Sequence, residues 1–282
     1  MSDQADAFLR SFHARDPGCS SRVFARGRDE DGRSSYERLA QAISPTPARV
    51  TVLDLGCGDG YLLQLLRERL GPVATLIGVD MSPHELDAAR TRLDANVDLL
   101  CERAQATTLA SGSIDVAVSH MALMLMAPLN EVAREVHRVL RPGGVFAAVV
   151  SSERLPPGAW AEFIAIVRGL GAAQTIAIGD KRAYTAAGLR TTFSAPGWSE
   201  IAIEDFELNV DGDWSQVEAY LFGSYIPDLL EPRFREPLRR ESGKRIPTLA
   251  DRSGNIPCRI GMRLLRFRRD VADTAADAAR AH

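Results

Sequence analysis

Short apolar runs alternate with helix-period stripes between residues 50 and 150, and this alternation is the clearest order along the chain. The run Val50 to Leu55 is β-branched and uncharged until Asp54, which predicts a strand. A glycine cluster from Gly56 to Gly60 follows. Leu62, Leu65 and Leu66 then recur at helical spacing from Tyr61 to Leu70, stopped by Gly71-Pro72. A second strand is predicted from Val73 to Val79, ending at Asp80. Ser82 and Glu85 have the spacing of a capping box, with Pro83 at the first helical position of a helix reaching about Leu93. Val97 to Cys101 and Ile114 to Ser119 predict the next strands. Leu129, Val132, Ala133, Val136 and Leu140 form a helical stripe that ends at Arg141-Pro-Gly-Gly, before a fifth strand from Val145 to Val150.

Strands and helices alternating at these lengths require parallel, right-handed crossovers. The expected fold is α/β: a doubly wound, mostly parallel seven-stranded sheet that takes its ligands at the carboxyl ends of its strands. Residues 1–47 carry helical pieces around Phe8 to Phe12 and Ser35 to Ala40 and are expected to form a helical lid. Residues 48–152 form the cofactor-binding core. Residues 153–270 complete the sheet, with a helix near Trp160 to Leu170, strands at Ile201 to Val210 and Ile260 to Arg268, and a helical substrate cap inserted at about 213–255. A frayed tail is expected over 271–282.

Composition narrows the function. The chain has 282 residues, 45% apolar and 25% charged, enough for a substantial core. Lys plus Arg total 34 against 37 Asp plus Glu, a net charge of −3. Nucleic-acid binders carry a basic excess to neutralise phosphates, so no nucleic-acid partner is expected. No run reaches the roughly 18 to 20 apolar residues of a membrane span, and the acidic N-terminus lacks the features of a signal peptide. Cys19, Cys57, Cys101 and Cys258 lie far apart, suggesting neither disulfides nor a zinc knuckle. The expectation is a soluble cytoplasmic protein without a membrane partner, with a homodimer left open.

The loop Asp54-Leu-Gly-Cys-Gly-Asp-Gly60 must be separated from a dinucleotide fingerprint. That fingerprint needs a third glycine where this chain has Tyr61. Charge makes the stronger distinction: a pyrophosphate seeks bare amides at a positive helix end, whereas Asp54 and Asp59 repel it and favour a cation. Asp80 ends the second strand, where an acid can bind both ribose hydroxyls. A loop suited to a cation, followed by a ribose clamp, describes S-adenosylmethionine.

Four segments between Val52 and Val150 carry a family resemblance: Val52-Leu-Asp-Leu-Gly-Cys-Gly-Asp-Gly60, Gly78-Val-Asp-Met-Ser82, Gly112-Ser-Ile-Asp115 and His137-Arg-Val-Leu-Arg-Pro-Gly-Gly144. About a third of the chain resembles the seven-stranded, class I S-adenosylmethionine-dependent methyltransferases. The resemblance implies that Asp54, Gly56 and Gly58 hold the methionine moiety, that Asp80 binds the ribose, and that Met81 packs on the adenine. Ser119, at the end of the fourth strand, is placed with the cofactor contacts. Arg103 stands where the family often has an acid, which shifts the adenine contact to Gln105.

The sulfonium methyl is already activated, so the protein must position the acceptor and remove its proton. His120 follows the fourth strand at the ligand-binding edge and is the candidate general base, the alternative being a histidine that merely caps the strand. His13 lies outside the core, could fold over the site as a lid, and is the second catalytic candidate. His137 reads as a helix residue, His84 as solvated and His282 as tail.

A second, weaker resemblance lies in Phe12-His-x-Arg-x-Pro-Gly18, Ser21-Arg22, Arg26, Asp31-Gly-Arg33 and Ser34-Ser-Tyr36, with Gly261-x-Arg-Leu-Leu265 near the C-terminus. It is similar to the α-keto acid β-carbon methyltransferases of peptide-antibiotic biosynthesis. This implies a small 2-oxo acid substrate. A bidentate arginine clamps its carboxylate, donors stabilise its enolate, and a base takes the β-proton. Arg22, Arg26, Tyr36 and Tyr225 are the candidate substrate contacts, although each arginine could equally be an ordinary surface residue. The cap aromatics Trp214, Tyr220, Phe222 and Tyr225 could enclose a side chain or simply pack the insertion. No two-His-one-carboxylate spacing is visible, so no metal is expected.

Overall fold

The computed structural model describes residues 3–44, 49–171, 176–194 and 197–271. Seven strands form one sheet: β1 (Thr51–Leu55), β2 (Thr75–Asp80), β3 (Val97–Cys101), β4 (Ile114–His120), β5 (Leu140–Ser151), β6 (Trp198–Asn209) and β7 (Arg259–Arg269), in the order β3-β2-β1-β4-β5-β7-β6. The first five run parallel, and β7 lies antiparallel between β5 and β6. The order reverses at β1 and β4, which opens a crevice at their carboxyl ends.

Period-two alternation distributes the strand residues between the two faces. Val52, Leu76, Val118 and Val149 pack with Leu39 of α3 (Ser35–Gln41), Leu62 and Leu66 of α4 (Tyr61–Leu70) and Leu86 of α5 (Pro83–Arg92). Their neighbours Leu53, Ile77, Ala117 and Ala148 face the other way, against Val132 and Val136 of α6 (Leu129–Val139) and Leu189 of α8 (Ala186–Thr192). A third core joins Phe163 of α7 (Ala159–Gly169) to Val217 and Leu221 of α9 (Trp214–Phe222) and Leu238 of α11 (Pro232–Arg245). The inserted cap therefore shares its core with the helix that follows β5.

The N-terminal segment supplies α1 (Asp3–Arg15) and α2 (Cys19–Phe24), and α10 (Ile226–Leu229) lies in the cap. The sequence pattern does not signal α2 or α8, because both are too short to display a helical stripe. Two strand ends also shift. Val73 is 53% exposed in a turn, so β2 starts at Thr75. The Arg141-Pro-Gly-Gly segment, expected to end the helix ahead of a strand from Val145, lies within β5 beside a register irregularity between Ile114 and Val116. The expected lid boundary at 47–48 and the tail from 272 onward lie outside the described residues.

Candidate functional site

The β1–α4 turn brings the glycine loop to the crevice. Gly56 and Gly58 adopt φ values of 73° and 52°, which glycine reaches without steric cost. A Cβ on Gly56 would sit 2.4 Å from the Ala122 side chain, so the loop also requires glycine for space. Asp54 is buried, with its Oδ1 lacking a hydrogen-bond partner among the described residues. Burial, then the nearby Asp80 and Asp59 carboxylates, push its carboxyl well above the usual range. An unmatched buried carboxyl is costly alone and fits a ligand bearing a cation.

Asp80 is oriented by the backbone. Its Oδ2 accepts from the Gly58 amide at 2.9 Å and its Oδ1 from the Ser82 amide at 2.8 Å. Burial raises its pKa, opposed by those two donors. Gly56, Gly58, Asp80, Met81 and Gln105 all line one cavity with Asp54, a donor set that fits S-adenosylmethionine. The Gln105 amide donates to the Ala127 carbonyl at 2.9 Å.

Three expectations about this cavity need correction. Asp59 is already paired, accepting from Arg92 and from the Ser21 hydroxyl at 2.6 Å each, so of the two loop acids Asp54 is the one left for a ligand. Ser119 is fully buried away from the cavity lining, and its hydroxyl donates to the Leu55 carbonyl at 2.8 Å, tying β4 to β1. The Ser82–Glu85 capping box is only half formed. Ser82 accepts from the Glu85 amide, but the Glu85 carboxylate turns inward to the Gly18 amide at 3.0 Å and the His13 ring at 2.6 Å.

Glu85 and Gly18 are thus site residues that sequence reasoning missed. The capping spacing gave Glu85 a sufficient local role, and only the packing of the N-terminal segment shows where its carboxylate goes.

The two candidate histidines have opposite electrostatics. His13 Nδ1 meets Glu85 and its Nε2 meets the Tyr225 hydroxyl at 2.8 Å. Burial works against a charge there, but contacts with Cys19 and Glu85 prevail and raise its pKa to about 10. His13 is therefore an imidazolium at neutral pH and not a general base. His120 is buried, which pulls its pKa down to about 3 instead of leaving it near neutrality. Its Nε2 lies 2.9 Å from the Ser35 hydroxyl and its ring stacks on Tyr36 with centroids 3.5 Å apart. Its Nδ1 has no hydrogen-bond partner among the described residues.

A second cavity of about 560 Å³ adjoins the first, and Ser20, Met121, Leu125 and Tyr225 line both. Met121 has φ 53°, unusual for a residue with a side chain, at the point where β4 hands the chain to the junction. Trp160, Ile164, Tyr184 and Tyr220 make the second cavity largely apolar, while Arg154, Arg168 and Lys181 supply its cations.

Arg22 and Arg26 line neither cavity. Both are exposed, and Arg22 pairs with Asp16. Tyr36 lines the cofactor cavity rather than the larger one. The cap aromatics divide: Phe222 packs against Phe163 and Trp214 joins the cap core, whereas Tyr220 and Tyr225 reach the second cavity. Among the described residues no group of three or more His, Cys, Asp or Glu side chains could hold a metal ion, and no helix is long and apolar enough to cross a membrane.

Residues 53–148 match the model of a methyltransferase domain. The chain is 36% identical over 117 residues to an arsenite methyltransferase of Aquipseudomonas alcaligenes, covering 37% of this chain and 34% of that protein. It is 37% identical over 113 residues to a malonyl-[acyl-carrier protein] O-methyltransferase of Serratia marcescens, covering 40% and 42%. It is 35% identical over 126 residues to a trans-aconitate 2-methyltransferase of an Acidovorax species, covering 44% and 46%. These alignments span between a third and a half of the relatives' lengths. Among solved structures, the [4+2]-cyclase SpnF shares the fold at 20% identity and a TM-score of 0.54, with 84% of this chain and 80% of that one covered. The YcgJ protein of Bacillus subtilis does so at 18% identity and 0.56, with 84% and 98% covered.

Proposed function

The core of this chain belongs to the class I, S-adenosylmethionine-dependent methyltransferases, and from that premise we propose that the protein methylates a small molecule held in its second cavity. The observation that carries this reading is the junction. Four residues line both cavities, so the two adjoin and a donor in the first would lie beside an acceptor in the second. When bound, the cofactor supplies an activated methyl group on a sulfonium centre. Asp54 answers its positive charge, Asp80 orients its ribose, and the glycine loop admits its backbone.

The finer reading is methylation at the β-carbon of a 2-oxo acid, an amino-acid precursor of the kind used in antibiotic assembly. The largely apolar second cavity suits such a side chain. With Arg22 and Arg26 outside the cavities, its carboxylate falls to Arg154, Arg168 or Lys181. His120 remains the candidate base through its Nδ1, which carries the lone pair of the neutral ring when Nε2 donates to the Ser35 hydroxyl. A base this weak requires that the enolate itself be strongly stabilised.

A second reading is methyl transfer to an oxygen, in particular a carboxylate. It is favoured by the shift of both candidate histidines, His13 and His120, away from neutrality, because a carboxylate acceptor needs no base. Mass spectrometry of products from S-adenosylmethionine and a panel of 2-oxo acids tests both readings. Gain of a methyl group together with loss of a β-hydrogen supports carbon methylation. An ester product supports the second reading, and no product from any 2-oxo acid defeats the first.

A further inference from the structure

The His13 imidazolium is held by groups far apart in the chain: Glu85 on α5 and Tyr225 in the cap. Glu85 also takes the Gly18 amide at the turn between α1 and α2, which fixes the carboxylate from a second side. Tyr225 is wedged against α1, with its ring centroid 4.6 Å from that of Phe12 and 6.3 Å from that of Phe8. With both ring nitrogens of His13 protonated, one N–H donates to Glu85 and the other to the Tyr225 oxygen. The hydroxyl proton of Tyr225 then has no acceptor among the described residues, and Tyr225 lies at the junction of the two cavities.

We propose that Tyr225 is the oxyanion donor of this enzyme, its hydroxyl aimed into the substrate cavity by the Glu85–His13 ion pair behind it. The proposal rests on the reading that a carbonyl substrate occupies the second cavity. Enolisation breaks the β C–H bond. Its electron pair becomes the new C=C bond, the carbonyl π pair moves onto oxygen, and the proton passes to the base. Tyr225 donates a hydrogen bond to that oxygen and keeps its own proton. Burial, with Cys19, Glu85 and Asp80 nearby, holds the phenol well above its ordinary pKa.

A cation directly behind a hydroxyl strengthens its donation in a water-poor site. His13 and Glu85 are positioning residues in this scheme. Because His13 comes from the N-terminal segment and Tyr225 from the cap, the donor is complete only when both lie over the core.

Two measurements test the proposal, and the first needs no substrate. In protein labelled with ¹⁵N-histidine, the His13 ring should show both nitrogens protonated at pH 8, a state lost in Glu85→Gln. The groups facing His13 are Glu85, the Cys19 thiol, Tyr225 and, farther off, Asp80. A His13 that titrates near its ordinary value of 6.5 overturns the proposal whatever the substrate proves to be.

The second measurement is the loss of β-hydrogen from phenylpyruvate and 4-methyl-2-oxopentanoate in D2O, with S-adenosylhomocysteine bound. If wild type exchanges, Tyr225→Phe should exchange at least about tenfold more slowly with substrate affinity changed less than about threefold. His13→Gln should lose the decline in rate that wild type shows as pH rises through about 10. Equal exchange by Tyr225→Phe and wild type overturns the proposal. No exchange by wild type overturns the 2-oxo acid reading instead, leaving the ring-nitrogen result to decide the ion pair. Binding of S-adenosylhomocysteine by each variant establishes that it is folded.

Discussion

Arg103 on the cavity wall pairs with Asp6 of α1, so the helix whose Leu9 and His13 line the same cavity is latched to the segment that follows β3. The residue that departs from the family's acidic pattern therefore has a use in this chain. It ties α1 to the wall of this cavity.

Asp6→Asn removes the charge from that latch. The Arg103 side chain is 41% exposed, so the pair contributes about 1 kcal/mol or less. Calorimetry should find S-adenosylhomocysteine binding weakened by roughly threefold to fivefold on that basis. Amide exchange should also quicken over α1. Unchanged affinity together with unchanged exchange would show that α1 is held without Arg103.

Asp54→Asn should stabilise the ligand-free protein while weakening its hold on the cofactor. The sign follows from a carboxyl whose folded pKa is raised. Below its unfolded pKa the group is neutral in both states and imposes no penalty. As pH rises past that value the unfolded chain ionises freely and the folded one cannot, so stability is lost. Thermal melts at pH 5 and pH 8 should therefore lie closer together in the variant than in wild type. A variant that melts lower than wild type at pH 8 contradicts this assignment.

Asp80→Ala should abolish measurable cofactor binding in calorimetry. The substitution deletes the candidate ribose acceptor and also leaves the Gly58 and Ser82 amides without the carboxylate that orients them. Wild-type affinity in this variant would defeat the ribose assignment.

His120→Ala should reduce turnover at least about tenfold, the lower range of a general-base contribution, with cofactor affinity nearly unchanged. Folding carries a second signature. Below about 6.5 the unfolded chain binds a proton that the buried ring refuses until about pH 3. Wild-type stability should therefore fall across that interval, and the variant should fall less. Full activity in the variant removes His120 from the chemistry.

Gly56→Ala tests the loop itself. The added methyl meets Ala122 at 2.4 Å from a backbone φ of 73°. Left-handed backbone costs about 1 kcal/mol in a residue with a Cβ, and overpacking adds about 1–3 kcal/mol. A lower melting temperature and loss of S-adenosylhomocysteine binding are expected. A variant that binds as wild type does would mean that the loop has room to move.

Much of the fold could be read from the order of residues. Strand alternation, the Gly71 stop and the Pro83 helix start are short-range features, and they located the core elements to within a few residues. The placement of Asp54 and Asp80 at the cavity was legible for the same reason, since each lies at a strand end beside a turn that its own neighbours specify. The short helices α2 and α8 were not legible, because six or seven residues cannot display a helical stripe.

The ionisation states of the site belonged to the tertiary structure alone. His13 becomes a cation because Glu85, 72 positions away, packs beside it, and it meets a tyrosine 212 positions away. His120 stays neutral because the fold buries it, and Asp59 loses its free charge to Arg92. Arg22 and Arg26 had the right chemistry for a carboxylate but folded to the surface. Local sequence sets backbone preference through sterics and period, whereas charge at a site depends on solvent exclusion and on neighbours that only folding brings together.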